Sequence, residues 1–279
     1  HSFRIYRNEL SDTSSLPNDY VDDLMEDPQG KIWVSARRNF SVFDPKTKRF
    51  YRNADYWARQ YGLPDAHLTK FLKSRSGDYW INHLRMGLCK YEVKQGRLTV
   101  VRAVPQKVSV WGGEQIADFQ EDSKGRLWII YRNGRFELLD PGSGAILFSS
   151  DRLQSLNGGE PVEFNLFVDS DDDVWLYSDD LKGGQYFDAR LQSFSPFNTT
   201  SAKFRIGNDI IRAITQDEEG KIWVATDHGG ISLIDKRNNR TDHLVNDPDD
   251  EHSLSQNCAI SIYRDSTGAV WVGTFKKGF

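Results

Sequence analysis

Six tryptophans stand on an even comb in this chain of 279 residues: Trp33, Trp80, Trp128, Trp175, Trp223 and Trp271. They are 47, 48, 47, 48 and 48 residues apart and make up six of the eight tryptophans present. A fixed period of this size marks a chain built by repeating one supersecondary unit. The flanks keep the same register. Nine positions before each tryptophan stands a large apolar residue (Leu24, Phe71, Phe119, Leu166, Ile214, Ile262). Six before it come Asp27, Ser74, Asp122, Asp169, Asp217 and Asp265. Three before it come Gly30, Gly77, Gly125, Gly220 and Gly268, with Asp172 as the exception. About twelve after it an acid recurs, at Asp44, Glu92, Asp140, Asp188 and Asp235.

Each unit reads as short strands. The Asp-x-x-Gly step is tight-turn chemistry: the aspartate caps backbone N–H groups and glycine takes the positive φ. In the fifth unit a strand is predicted over 210–216, and Ile222-Trp223-Val224 reads as a strand buried on both faces. Third and fourth strands are predicted over 231–234 and 241–245, followed by a polar connection over 246–257. Four strands per roughly 47 residues without helical periodicity predict an all-β fold, a β-propeller of four-stranded blades. The chain then holds five complete repeats plus one split or partial repeat, a single propeller domain over 1–279. A fourth strand is predicted at Phe3–Arg7. It either completes the last blade or belongs to a longer, seven-bladed ring of which this chain is a fragment. The chain opens on His1 and shows no signal peptide, which reads as a processed or excised piece.

Composition narrows the function classes. Lys+Arg 36 against Asp+Glu 40 gives a net charge of −4, which excludes a uniformly basic nucleic-acid surface. Hydrophobic residues at 38% exclude disorder, and no apolar run approaches the roughly 18 residues of a membrane span. Cys89 and Cys258, four units apart, make neither a disulfide framework nor a metal cluster. Asp169-Ser-Asp-Asp-Asp173 hints at a calcium loop, but Val174 stands where such a loop needs glycine, so no metal is expected. No catalytic signature is present, and neither an enzymatic activity nor a cofactor is expected.

The segments Asp217-Glu-Glu-Gly-Lys-Ile-Trp-Val-Ala-Thr-Asp-His-Gly-Gly-Ile231 and Asp265-Ser-Thr-Gly-Ala-Val-Trp-Val-Gly-Thr-Phe-Lys-Lys-Gly278 resemble the two-component regulator propeller repeat. Asp247-Pro-Asp-Asp-Glu-His-Ser-Leu-Ser-Gln-Asn257 is similar to its inter-blade connection. The resemblance is strong in the first, fifth and sixth units and weaker in the second to fourth. It implies the periplasmic sensor ectodomain of a Bacteroides-type hybrid two-component system, a protein class that detects glycan-derived oligosaccharides. It further implies contacts with other propeller domains of the same receptor and a homodimeric full-length protein. Membrane span, kinase and DNA-binding output would lie in segments outside this chain.

Loops between second and third strands share one end of a propeller with the inter-blade connections. They carry Arg37, Arg38, His83, Arg85, Arg132, Arg135, His228 and Lys276, against few acids of their own (Asp179, Asp180, Asp227). A positive rim on an acidic chain suits an anionic ligand such as an acidic saccharide. Trp57 and Trp111 lie off the comb in inter-blade connections, where an indole face can stack on a sugar ring. The alternative for all of these is solvated or loop-packing residues in a structural propeller array whose ligand sits on another domain. A propeller lyase or glycosidase is the remaining class. It would need two carboxylates flanking the scissile bond, and only the adjacent Asp179 and Asp180 are placed for it.

Overall fold

The structure, a computed structural model, describes residues 4–36, 39–104, 112–156 and 158–275. It is all-β, with five four-stranded antiparallel blades of a β-propeller and a further two-stranded sheet. Contacts divide the chain into two compact units, His1–Val110 and Trp111–Phe279.

In the first unit, blade one comprises β1 (Asp23–Glu26), β2 (Ile32–Ala36), β3 (Asn39–Asp44) and β4 (Arg49–Tyr51). A short helix α1 (Ala54–Gln60) leads to blade two, with β5 (Leu68–Lys73), β6 (Tyr79–His83), β7 (Gly87–Glu92) and β8 (Arg97–Ala103). The expected strand at Phe3–Arg7 does not form over its described part, Arg4 to Arg7. Instead Tyr6 lays its ring on Phe43 and Phe50 of blade one, at 4.9 and 5.7 Å, because that face offers apolar area to bury.

The second unit holds blade three, with β9 (Ile116–Glu121), β10 (Leu127–Tyr131), β11 (Phe136–Leu139) and β12 (Ile146–Ser150). Blade four has β13 (Asn165–Val168), β14 (Val174–Tyr177), β15 (Gly184–Asp188) and β16 (Ser193–Phe197). Blade five has β17 (Ile211–Gln216), β18 (Ile222–Thr226), β19 (Gly230–Asp235) and β20 (Arg240–Leu244), within a residue or two of the strands predicted from sequence. β21 (Ala259–Arg264) and β22 (Val270–Thr274) form the two-stranded sheet.

The repeated turn works as its residues require. In blade one, Asp27 Oδ1 accepts the N–H groups of Gln29 and Lys31, both at 2.9 Å, while Gly30 takes φ 74°. At the exceptional position Asp172 adopts φ 66° without glycine's freedom. Its carboxylate is engaged across the blades, accepting Ser123 N at 2.7 Å and Ser123 Oγ at 2.6 Å. Further side chains tie blade to blade through backbone N–H groups of the first strand and the turn after it. Asp118 accepts from Leu166, Gln120 from Val168 and Gln216 from Ser170, at 2.9, 2.9 and 2.8 Å.

Trp33, Trp128, Trp175 and Trp223 fill space between successive sheets within each unit. Trp33 meets Phe71 at 5.2 Å, and Trp128 meets Phe187 at 5.3 Å. Trp33, Trp80, Trp128 and Trp175 are buried, whereas Trp223 and Trp271 are half-buried. The comb acid has a second duty beyond the turn. Its Oδ2 accepts the indole N–H in four repeats: Trp33 to Asp27 at 3.0 Å, Trp175 to Asp169 at 2.9 Å, Trp223 to Asp217 at 2.8 Å and Trp271 to Asp265 at 2.7 Å. In the second repeat Ser74 replaces the acid, and Trp80 Nε1 is buried with no hydrogen-bond partner among the described residues. In the third, Arg126 Nε takes Asp122 Oδ2 at 2.7 Å, and Trp128 Nε1 is left in the same position.

Candidate functional site

A concave surface of the first unit follows the chain from β4 into α1. Asn53 caps the helix, its side chain accepting Tyr56 N at 3.2 Å, and Ala54 and Ala58 bury one face. That turns Tyr56 to solvent, while Trp57 packs in part against the core beside Ala54 and Ala58. A cavity of about 650 Å³ is lined there by Thr13, Ser14, Arg49, Tyr51, Tyr56 and Trp57, among others. Trp57 packs against Tyr51 at 5.5 Å and edge-on against Tyr56 at 5.4 Å. Lys31 Nζ stands 4.7 Å from the Trp57 ring and is itself paired with Asp44 at 3.0 Å. Tyr56 is 59% exposed, a broad aromatic side chain turned to solvent. A second cavity of about 410 Å³, lined by Phe40, Asp55, Ala66 and His67, shares Arg52 and Asn53 with the first. Arg52 donates to Asp12 O at 3.4 Å.

His67 connects this groove to two of the sequence-predicted residues. His67 Nδ1 lies 2.7 Å from Asp65 Oδ1, His83 Nε2 lies 3.0 Å from the same oxygen, and Arg85 donates to Asp65 Oδ2 at 3.3 Å. Burial pushes the Asp65 carboxyl up, but hydrogen bonds from His67 and His83 outweigh it and hold it at about 2. His83 is fully buried, and its Nδ1 accepts the backbone N–H groups of Arg85 and Met86, both at 3.2 Å. Desolvation lowers its pKa below the ordinary 6.5, against the pull of Asp65. The ring is therefore a neutral imidazole donating from Nε2, fixed between a carboxylate and a turn.

In the second unit the predicted cations are likewise engaged. Arg132 is buried and its guanidinium pairs with Glu163. Arg135 stacks over Tyr131 at 4.1 Å and lies 3.3 Å from Glu137 Oε1 and 3.9 Å from Glu114 Oε2. His228 is exposed, with Nδ1 2.7 Å from Asp227 Oδ1. Arg212, which sequence reasoning passed over, bridges Asp179 and Asp227. Arg37, Arg38, Trp111 and Lys276 lie outside the described residues.

The partners missed from sequence are Asp65, Glu114 and Glu163, acids of the inter-blade connections. A signal was present: they stand twelve to fifteen positions before Trp80, Trp128 and Trp175, with Asp209 similarly placed before Trp223. The Asp169–Asp173 cluster also has a cation, though not a metal. Lys236 Nζ lies 2.6, 2.9 and 2.8 Å from oxygens of Asp169, Asp171 and Asp173. Burial depresses the lysine, yet the three carboxylates hold its pKa well above the ordinary range.

Three segments, residues 15–38, 205–228 and 253–276, match the two-component regulator propeller family. They are the first, fifth and sixth repeats, those in which the sequence resemblance is strongest. No curated protein matches the chain. Among solved structures, it is similar to the extracellular domain assigned to the hybrid two component system BT3049 from B. thetaiotaomicron, at 22% identity and TM-score 0.64. That match covers 98% of this chain and 35% of the other, so the chain spans about a third of its length. It is also similar to PorZ, a surface component of the type-IX secretion system of Porphyromonas gingivalis, at 18% identity, TM-score 0.58, and 91% and 37% coverage. Virginiamycin B lyase from Staphylococcus aureus shares the fold at 14% identity, TM-score 0.56, and 94% and 87% coverage. At these identities the likenesses establish the propeller fold. Among the described residues no helix is long and apolar enough to cross a membrane.

Proposed function

From a chain that carries two-component regulator propeller repeats, we infer a sensing propeller in the periplasmic ectodomain of a hybrid two-component receptor, recognising an oligosaccharide through the groove around α1. The observation that carries this reading is the groove itself. Tyr51, Tyr56 and Trp57 present aromatic surface beside the cations Arg49 and Arg52 in a cavity of about 650 Å³. Aromatic faces stack on the apolar side of a pyranose, and arginine forks pair with carboxylate or sulfate, so an acidic sugar fits both halves. Binding would bias the kinase by favouring one arrangement of the receptor's propellers or of its dimer, and only through a difference in affinity between arrangements.

Calorimetric titration with neutral, uronic-acid and sulfated oligosaccharides, at low and high salt, tests the reading. Acidic sugars should bind in a salt-sensitive way, Trp57→Ala and Tyr56→Ala should abolish binding, and Arg52→Ala should remove the preference for acidic sugars. No binding by any sugar would favour the other reading, a structural array with the ligand held on another domain. One observation already supports that alternative: His83, Arg132 and Arg135 of the predicted rim are taken up by acids of this chain. Turnover of any of these sugars would overturn both.

A further inference from the structure

Blade five and the two-stranded sheet after it bring together a cluster with no part in the groove. Asp227 and His228 lie in the turn between β18 and β19, and Cys258 immediately precedes β21. Asp227 Oδ1 is 2.7 Å from His228 Nδ1 and 2.9 Å from Cys258 Sγ, and all three donor atoms lie within 4.8 Å of one another. We propose that Asp227, His228 and Cys258 form a binding site for a transition-metal dication of the Zn²⁺ class, with one coordination position open.

The donor set selects the ion. Thiolate, imidazole and carboxylate together suit zinc and its borderline-soft neighbours, whereas calcium and magnesium require oxygen. Distances agree. Zinc bonds of about 2.0–2.3 Å place tetrahedral donors roughly 3.3–3.7 Å apart, so these atoms need separate by less than about 1 Å to admit the ion. His228 supplies that freedom, being exposed at a loop position with φ 65°. Cys258 is 7% exposed and approached from the same loop, so the site is anchored on its buried side and open on the other.

The surroundings orient the ligands. Arg212 holds Asp227 Oδ2 at 3.1 Å, which turns Oδ1 toward the histidine and cysteine, and Asp179 pairs with the same guanidinium. With thiolate, both aspartates and Arg212 counted, a dication brings the cluster to neutrality. In the structure the Cys258 thiol donates to Asp227 Oδ1. Metal takes the place of that proton: Cys–SH and M²⁺ become Cys–S–M⁺ and H⁺, with the S–H electron pair passing to the metal bond. The Asp169–Asp173 cluster offers oxygen alone and is filled by Lys236.

The test uses the full chain, thiol-reduced and stripped with a chelator, titrated with Zn²⁺ alone by calorimetry in buffers of different ionisation enthalpy. Binding of one equivalent with release of about one proton is expected, as is a thiolate-to-metal charge-transfer band when Co²⁺ is used instead. His228→Ala, a change on an exposed loop, and Cys258→Ser should each weaken binding by at least the roughly tenfold that outer-shell changes alone produce. Cys89→Ser should leave it unchanged. Lack of saturable Zn²⁺ binding, a Co²⁺ complex without the band, or undiminished affinity in Cys258→Ser would each overturn the proposal.

Discussion

Lys236 reaches Asp169 across sixty-seven residues of sequence, its Nζ 2.6 Å from Oδ2, and thereby places an ammonium where the acid-rich turn would otherwise demand a cation. Asp169 Oδ2 also accepts the Trp175 indole N–H, so one oxygen joins the lysine of blade five to the comb tryptophan of blade four. Removing one partner of a buried ion pair leaves an uncompensated charge, at a cost of about 3–5 kcal/mol. Lys236→Ala should therefore lower the unfolding midpoint by several degrees, at roughly 2–4 °C per kcal/mol for a chain of this size. Millimolar Ca²⁺ should restore part of the loss in the variant and do nothing to the parent, since the vacated oxygens suit a hard cation. Thermal melts of both proteins with and without Ca²⁺ decide the matter; equal melts would show that the cluster is not held by the lysine.

The indole–carboxylate bond predicts different costs in two blades. Asp27→Asn keeps the turn's acceptor but sets an amide N–H against Trp33 Nε1, and should cost about 1.5–3 kcal/mol. In blade three, Arg126→Gln frees Asp122 Oδ2 for the Trp128 indole but removes the guanidinium paired with that fully buried carboxylate, so it should cost more than Asp27→Asn, up to about 3–5 kcal/mol. Denaturant unfolding of the two variants checks the contrast, and a destabilisation of equal size in both would refute it.

His83 gives the first unit a pH dependence. Its folded pKa lies below the unfolded value near 6.5, so the unfolded state binds more protons and stability falls as pH drops below about 6.5. Asp65 adds a later loss, since a carboxyl held at about 2 contributes stability that disappears as pH falls through the acid range. Melts between pH 7 and pH 5 should show the first decline in the parent chain and a flatter profile in His83→Gln. A parallel decline in the variant would remove the histidine from the explanation.

Gly230 opens β19 at φ 66°, and a Cβ there would stand 2.3 Å from Leu244 O on β20. Both the backbone strain and the clash oppose substitution, and neither can relax without parting the two strands. Gly230→Ala should destabilise by more than about 2 kcal/mol, whereas Gly144→Ala, also at positive φ but with open space around it, should cost only the strain of about 1 kcal/mol. Urea midpoints of the pair give the comparison.

How far the fold was legible follows from the range of each signal. Hairpins were, because Asp-x-x-Gly is chemistry within four residues and stands intact in four of the six comb repeats. Helix α1 was not: it is a single short element whose cap Asn53 and two buried alanines carry no periodicity long enough to detect. The comb acid was read as a turn cap, and its bond to the tryptophan six residues on needed the hairpin's geometry. Of the candidate site, cations were visible on their loops, but the acids that neutralise His83, Arg85 and Arg132 lie elsewhere in sequence. His83 meets Asp65 at a separation of 18 and Arg132 meets Glu163 at 31. Only a repeat-aware search for acids in the connections would have paired them.

The side-chain ties between first strands divide the second unit unevenly. Blade four receives Asp118, Gln120 and Ser123 on one flank and Gln216 on the other, so its β13 backbone and turn are pinned from both neighbours. In hydrogen-exchange terms these amides cannot open by local fraying; they wait for two blades to separate. Blades three, four and five should therefore exchange as one cooperative unit, with the amides of Leu166 and Val168 among the last to admit deuterium.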